Sequence, residues 1–146
     1  MRRIRALIAD DHQDMLAALV SVLEDDPRFS VVGTAATAAE AVRIACDARP
    51  DVALLDVHMP GGGTAAAEAL AALTPPPVVV AISAQSGPGV VEDMLRAGAV
   101  GYLTKGRVGD GLPDLLVRCL EGEVILATPA ASVALKAVLR NPIPPT

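Results

Sequence analysis

Five short runs of apolar residues, at 4–9, 30–35, 52–55, 78–82 and 100–103, punctuate the chain. They are nearly continuous in Val, Ile, Leu and Ala, the pattern of parallel strands covered on both faces. Between them apolar residues recur at helical spacing. Met15, Leu16, Leu19, Val20 and Leu23 repeat in this way, with Pro27 just beyond. Thr37 stands three residues before Glu40, a capping box ahead of Ala41, Val42, Ile44 and Ala45. The Ala-rich stretch 64–73 stops at Pro75-Pro76-Pro77, and 90–97 ends at Gly98, a C′ glycine. The fifth helical stretch, 112–120, has Pro113 near its start and Gly122 after it. Beyond it, Thr128 caps a short sixth helix that runs to Leu139, and a Pro-rich end, Asn141 to Thr146, reads as a linker. Five βα units in succession predict an α/β fold, a doubly wound five-stranded parallel sheet flanked by five helices.

Composition narrows the picture. At 146 residues the chain makes one domain, with a core almost wholly aliphatic because Phe29 and Tyr102 are its two aromatic residues. The net charge of −5 argues against direct nucleic-acid binding. The one basic cluster, Arg2, Arg3 and Arg5, reads as a solvated lead-in to the first strand. Cys46 and Cys119 lack CxxC spacing and read as buried free thiols in a reducing compartment. No signal-peptide pattern opens the chain, and no apolar stretch approaches the roughly 20 residues that span a bilayer. The expectation is a cytoplasmic protein with no membrane contact.

The chemistry lies where polar residues end the strands. The first run ends in Asp10-Asp11, the third in Asp56, the fourth in Ser83 and the fifth in Thr104-Lys105. In an open α/β sheet, ligands bind at the carboxyl ends of strands where the order reverses. In the order 2-1-3-4-5, three carboxylates, a hydroxyl and an ammonium converge there. Two carboxylates about 4–5 Å apart repel by roughly 3–4 kcal/mol at an effective dielectric near 20. Such a cluster therefore calls for protonation or a cation, and hard oxygen ligands suit Mg²⁺. Asp56 is placed as an in-line nucleophile toward a phosphoryl group, Lys105 as its point charge and Ser83 as a hydroxyl donor.

At these residues the chain resembles the receiver domains of bacterial response regulators. The resemblance covers residues 3–122 and is carried by Asp10-Asp11, Asp56-Val57-His58-Met59-Pro60, Ser83-Ala84 and Tyr102-Leu103-Thr104-Lys105. It implies a flavodoxin-like, CheY-like fold and makes Asp56 the phosphoacceptor for a sensor histidine kinase. It further implies Mg²⁺ held by Asp11, Asp56 and the backbone carbonyl of His58, with Asp10 acting through water. Ser83 and Tyr102 become a switch pair, the Tyr102 ring turning inward when the aspartyl phosphate forms. Readout through the fourth helix, fifth strand and fifth helix, often by homodimerisation, is the usual output.

The segment from Gly122 to Leu139 resembles the one that leads to a helix-turn-helix domain in NarL/LuxR-type regulators. The expected organisation is a receiver at 1–124, then a helix and linker at 125–146 toward a DNA-binding output domain absent from these residues. The competing reading is a stand-alone or phosphorylation-independent receiver acting by protein contact. Two departures from the commonest pattern stand out. Gly106 follows Lys105 where many receivers carry Pro, so a cis peptide is not required there. Gly61-Gly62-Gly63 makes a loop expected to be unusually flexible.

Other chemistries fit less well. His12 and His58 flank the acidic cluster, yet no third soft ligand supports zinc. A phosphatase of the haloacid dehalogenase type needs an acid/base Asp two residues after its nucleophile, and His58 stands there. The glycine run matches no nucleotide-binding pattern. An enzyme acting on free substrates is therefore not expected.

Overall fold

The structure, a computed structural model, describes residues 2–84, 88–107, 109, 111–127 and 131–140. In chain order these form β1 (Ile4–Ala9), α1 (Gln13–Glu24), β2 (Phe29–Ala35), α2 (Ala38–Ala48), β3 (Val52–Asp56), α3 (Gly63–Ala71), β4 (Val78–Ser83), α4 (Pro88–Arg96), β5 (Gly101–Thr104), α5 (Leu112–Leu120), β6 (Ile125–Ala127) and α6 (Ala131–Arg140), with one 3₁₀ turn at Lys105–Arg107. The sheet runs β2-β1-β3-β4-β5-β6, every pairing parallel.

Strand side chains alternate between faces, and the core divides accordingly. Leu7, Ala9, Ala53, Leu55, Val79, Ala81 and Tyr102 share one cluster with the buried residues of α2, α3 and α4. Ala6, Ile8, Leu54, Val80, Ile82 and Leu103 share the other with Leu19, Leu23, Leu112 and Leu116 of α1 and α5. Both faces are covered, which is why the strands read as unbroken apolar runs. Leu7 and Leu55 have no exposed surface, and burying a side chain of that size contributes roughly 1.5–3 kcal/mol.

Local signals behave as their chemistry requires. The Glu40 amide donates to Thr37 Oγ1 at 3.2 Å, and the Ala36 amide donates to Glu40 Oε1 at 3.4 Å, so the head of α2 is capped from both directions. Gly98, with φ 111°, follows α4. The cis peptide among the described residues is Thr74–Pro75, and none follows Lys105. No helix among them is long and apolar enough to cross a membrane.

Two expectations need correction, the strand count and the burial of Cys46. The sheet has a sixth strand: the Ile125 amide donates to the Val100 carbonyl at 2.9 Å, and Gly101, Tyr102 and Leu103 pair with Ile125, Leu126 and Ala127. The sixth helix follows it from Ala131, while its proposed cap, Thr128, lies outside the described residues. Cys46 is exposed, not buried, because α2 turns Ala38, Ala41 and Ala45 to the core and Cys46 falls one position beyond that stripe; Cys119 is buried. The arginine cluster leads into β1 at the surface as expected, with Arg2 and Arg3 exposed, and two of its members also make contacts. Arg2 pairs with Asp51 at 2.6 Å, and the Arg5 guanidinium donates to the Ala48 carbonyl at the end of α2. At the far edge, the Arg96 guanidinium of α4 donates to the Ala137 carbonyl of α6 at 3.4 Å and pairs with Glu92 at 2.8 Å.

Candidate functional site

The strand order sets the carboxyl ends of β1, β3, β4 and β5 side by side, and the polar residues at those ends form one cluster. Asp10 follows β1 and is fully buried. Its amide donates to the Ala35 carbonyl at 2.9 Å, and its Oδ1 accepts from the His12 amide at 2.9 Å. Asp56 closes β3 and is 1% exposed, its Oδ1 accepting from the His58 amide at 3.2 Å. Asp11 is exposed toward solvent. Ligand atoms of Asp10, Asp11, His12 and Asp56 all lie within 4.8 Å of one another.

Lys105, carried on the turn after β5, inserts its ammonium between the two buried carboxylates. Nζ lies 2.9 Å from Asp10 Oδ2 and 3.5 Å from Asp56 Oδ2. Those distances suit ion pairing, yet neither oxygen receives an aligned hydrogen bond among the described residues. Buried polar atoms without hydrogen bonds are costly, so both oxygens are open to a further cationic or donor group. Burial pushes the Asp56 carboxyl above its ordinary range, helped by the Asp10 charge and contact with Asp11. The His58 amide and the Lys105 ammonium pull the other way.

Ser83 closes β4 and Tyr102 lies within β5, both fully buried. Burial raises the Tyr102 phenol. Ser83 lies near enough to oppose that rise, and the Tyr102 hydroxyl itself has no aligned hydrogen bond among the described residues. The Tyr102 ring, expected to turn inward on phosphorylation, is already enclosed without it. It lies in the cluster of buried residues shared with α2, α3 and α4, against which Leu126 of β6 also packs.

His58 contributes its backbone. Its side chain is exposed and stands outside the group of clustered ligand atoms. His12 is the imidazole that joins the cluster, with Nδ1 3.3 Å from Asp10 Oδ1, 3.4 Å from Asp11 Oδ1 and 3.3 Å from Lys105 Nζ. That nitrogen either donates to a carboxylate or accepts from the ammonium, not both at once. With three carboxylates and one imidazole, the donor set is hard and oxygen-rich, which fits Mg²⁺ better than zinc.

Gly63, the last of the glycine run, has a packing role. A Cβ on Gly63 would stand 2.6 Å from the Asp56 carbonyl oxygen and 2.7 Å from Val57 Cα, while the Gly63 amide donates to the Val57 carbonyl at 2.9 Å. Gly63 therefore lets the head of α3 press against the backbone that carries Asp56. Such a close approach is tertiary, and the bare glycine was its only trace in the sequence. Beside the acidic cluster, His12, Gln13, Asp14, Met15, Ala84 and Lys105 line an open cleft of about 520 Å³.

A family model described as the response regulator receiver domain matches residues 6–115. The chain belongs to that family. As a receiver of a two-component response regulator it has relatives among transcription regulators. It is 38% identical over 104 residues to the response regulator GacA of Pseudomonas viridiflava, covering 70% of this chain and 49% of that protein. It is 34% identical over 139 residues to the DNA-binding transcriptional activator DevR/DosR of Mycobacterium tuberculosis, covering 94% of this chain and 64% of that protein. The solved signal receiver domain of NarL from Mycobacterium tuberculosis matches with a TM-score of 0.80 at 32% identity, over 84% of this chain and 100% of that one. The receiver thus spans about half to two thirds of the length of these curated relatives. Receivers of this family are not in general enzymes acting on free substrates.

Proposed function

We propose that this receiver takes a phosphoryl group from a sensor histidine kinase onto Asp56, and that the modified form switches dimerisation and transcriptional output. The observation that carries the reading is the buried Asp56 carboxylate with an Oδ2 that no hydrogen bond occupies, set among Asp10, Asp11 and Lys105. In the transfer, Asp56 Oδ2 attacks phosphorus as the phosphorus–nitrogen bond of the donor phosphohistidine breaks. An O–P bond forms on the carboxylate, and the imidazole leaves with the electron pair. Lys105 turns from Asp10 toward a phosphoryl oxygen, and Ser83 donates its hydroxyl to another. Asp11, Asp56 and the backbone carbonyl of His58 would hold Mg²⁺, with Asp10 acting through water. When bound, the ion neutralises charge on the carboxylates and on the phosphoryl oxygens.

The modification adds about −1.5 to −2 charge at neutral pH and biases a two-state element that includes Ser83 and Tyr102. The receiver proper occupies 1–124, and 125–146 leads toward a helix-turn-helix output domain outside these residues, through which alone DNA is bound. The protein acts in the cytoplasm. The test is incubation with Mg²⁺ and acetyl phosphate followed by intact mass measurement, beside Asp56→Asn. A phosphoryl-sized gain that EDTA and Asp56→Asn both abolish is expected. No gain, with a cognate kinase or beryllofluoride also without effect, rejects the reading in favour of a receiver that works by contact alone.

A further inference from the structure

His12 joins the acidic cluster without a part in phosphoryl transfer. It stands at the N-cap of α1, where Ser, Thr, Asp or Asn would bond the first amides of the helix, yet its side chain makes no capping bond. Its backbone is fixed instead: the His12 amide donates to Asp10 Oδ1 at 2.9 Å, and its carbonyl accepts from the Leu16 amide at 2.9 Å. The imidazole is thereby held against the carboxylates, with Nδ1 3.3 Å from Asp10 Oδ1 and 3.4 Å from Asp11 Oδ1. Neighbouring ligand atoms around one octahedral ion stand about 3 Å apart when metal–ligand distances are about 2.1 Å. The nitrogen thus stands from both oxygens at close to the spacing of ligands that share an ion.

Two further observations point to a cation here. Asp10 Oδ2 and Asp56 Oδ2, on side chains 0% and 2% exposed, carry no hydrogen bond among the described residues. The Lys105 ammonium stands 3.3 Å from His12 Nδ1 and 2.9 Å from Asp10 Oδ2, so nitrogen and carboxylate already face one positive charge together. A neutral imidazole cannot suit all these neighbours: a bare Nδ1 faces carboxylate oxygens, and an Nδ1–H faces the ammonium. A metal ion in place of the ammonium removes the conflict, because the nitrogen and the oxygens all offer it lone pairs.

We propose that His12 Nδ1 is a direct ligand in this cluster and makes it a mixed nitrogen–oxygen site that prefers Mn²⁺ and similar first-row ions to Mg²⁺. This rests on the cluster holding a divalent ion, as in the phosphoacceptor reading of Asp56. Mg²⁺ is hard, favours oxygen ligands and keeps several waters, whereas an imidazole strengthens the hold on first-row transition ions. Mn²⁺ accepts both donor types in an octahedral shell, and three carboxylates against one nitrogen suit it better than zinc. His58, exposed and outside the group of clustered ligand atoms, adds no second imidazole.

The test is calorimetric titration of the full chain with MnCl₂ and with MgCl₂, beside His12→Ala and His58→Ala, with electron spin-echo spectra of each Mn²⁺-loaded protein. Because the His12 side chain makes no capping bond, its removal spares α1, and circular dichroism checks the fold. Wild type and His58→Ala are expected to show nitrogen coupled directly to Mn²⁺, and His12→Ala to lose it. The ratio of Mn²⁺ to Mg²⁺ affinity should fall about tenfold in His12→Ala, the low end of what loss of a metal-site partner costs. Mn²⁺ spectra without nitrogen coupling, or a ratio that His12→Ala leaves unchanged, overturn the assignment while an all-oxygen cation site stands. Binding of neither ion rejects the cation site itself, and the role of His12 falls with it.

Discussion

Asp51 and Asp56 bracket β3, and their surroundings could hardly differ more. At the amino end, Asp51 Oδ1 accepts from the Arg2 guanidinium at 2.6 Å and Oδ2 from the Arg5 amide at 2.8 Å. Its own amide donates to the Arg5 carbonyl, and its carbonyl accepts from Val78. At the carboxyl end, the Asp56 carboxylate accepts from the His58 amide, touches Asp11, and has a neighbouring buried carboxylate and an ammonium shared with Asp10. One aspartate is built into the fold until nothing is left over. The other is held with its capacity unused, against a cost in stability. A carboxylate left in that state is poised for chemistry.

The comparison breaks if the two residues respond alike. The largest effect expected is on phosphoryl uptake: Asp56→Asn abolishes it in intact mass spectra, and Asp51→Asn leaves it in place. Next comes Lys105→Met, which strands two buried carboxylates and should lower stability at neutral pH by about 2–3 kcal/mol in urea titrations, with millimolar Mg²⁺ recovering part of the loss.

A smaller, sign-reversed effect sharpens the contrast. Because burial holds the folded-state pKa of Asp56 above the ordinary carboxylate value of the unfolded chain, the folded chain binds more protons than the unfolded chain between the two. That contribution is fully present below the unfolded pKa and is lost as pH rises through the folded one. Asp56→Asn should therefore be more stable than wild type by about 1 kcal/mol at neutral pH, with the gap closing toward about pH 4, whereas Asp51→Asn should be less stable by about 1 kcal/mol. Last, Tyr102→Phe should stabilise the chain by up to about 1 kcal/mol, since the buried hydroxyl it removes has no hydrogen bond.

The readable and the unreadable parts of the molecule divide along physical lines. Strands buried on both faces announce themselves as unbroken apolar runs, and the polar residues that end them mark the site, so the sequence alone brings Asp10, Asp11, Asp56, Ser83 and Lys105 together. β6 leaves no such mark because Ile125–Ala127, three residues long, is too short to show a period. Gly63 looked like slack because close approach to the Asp56 carbonyl is a property of the folded backbone alone. The primary partner of Lys105 was equally hidden: the ammonium stands nearer Asp10 than Asp56, a choice made by distances that no motif encodes. Exposure of Cys46 turned on one position around a helix.

The scarcity of aromatic residues has a use. The chain contains no tryptophan and a single tyrosine, and that tyrosine is Tyr102, enclosed between the pocket and the strand that pairs with it. Its ultraviolet emission and near-ultraviolet dichroism come from one known place, with only Phe29 as a weak background. The protein carries a native optical label at Tyr102, the residue proposed to switch, and titration with metal or phosphodonor can be followed there without attaching a dye.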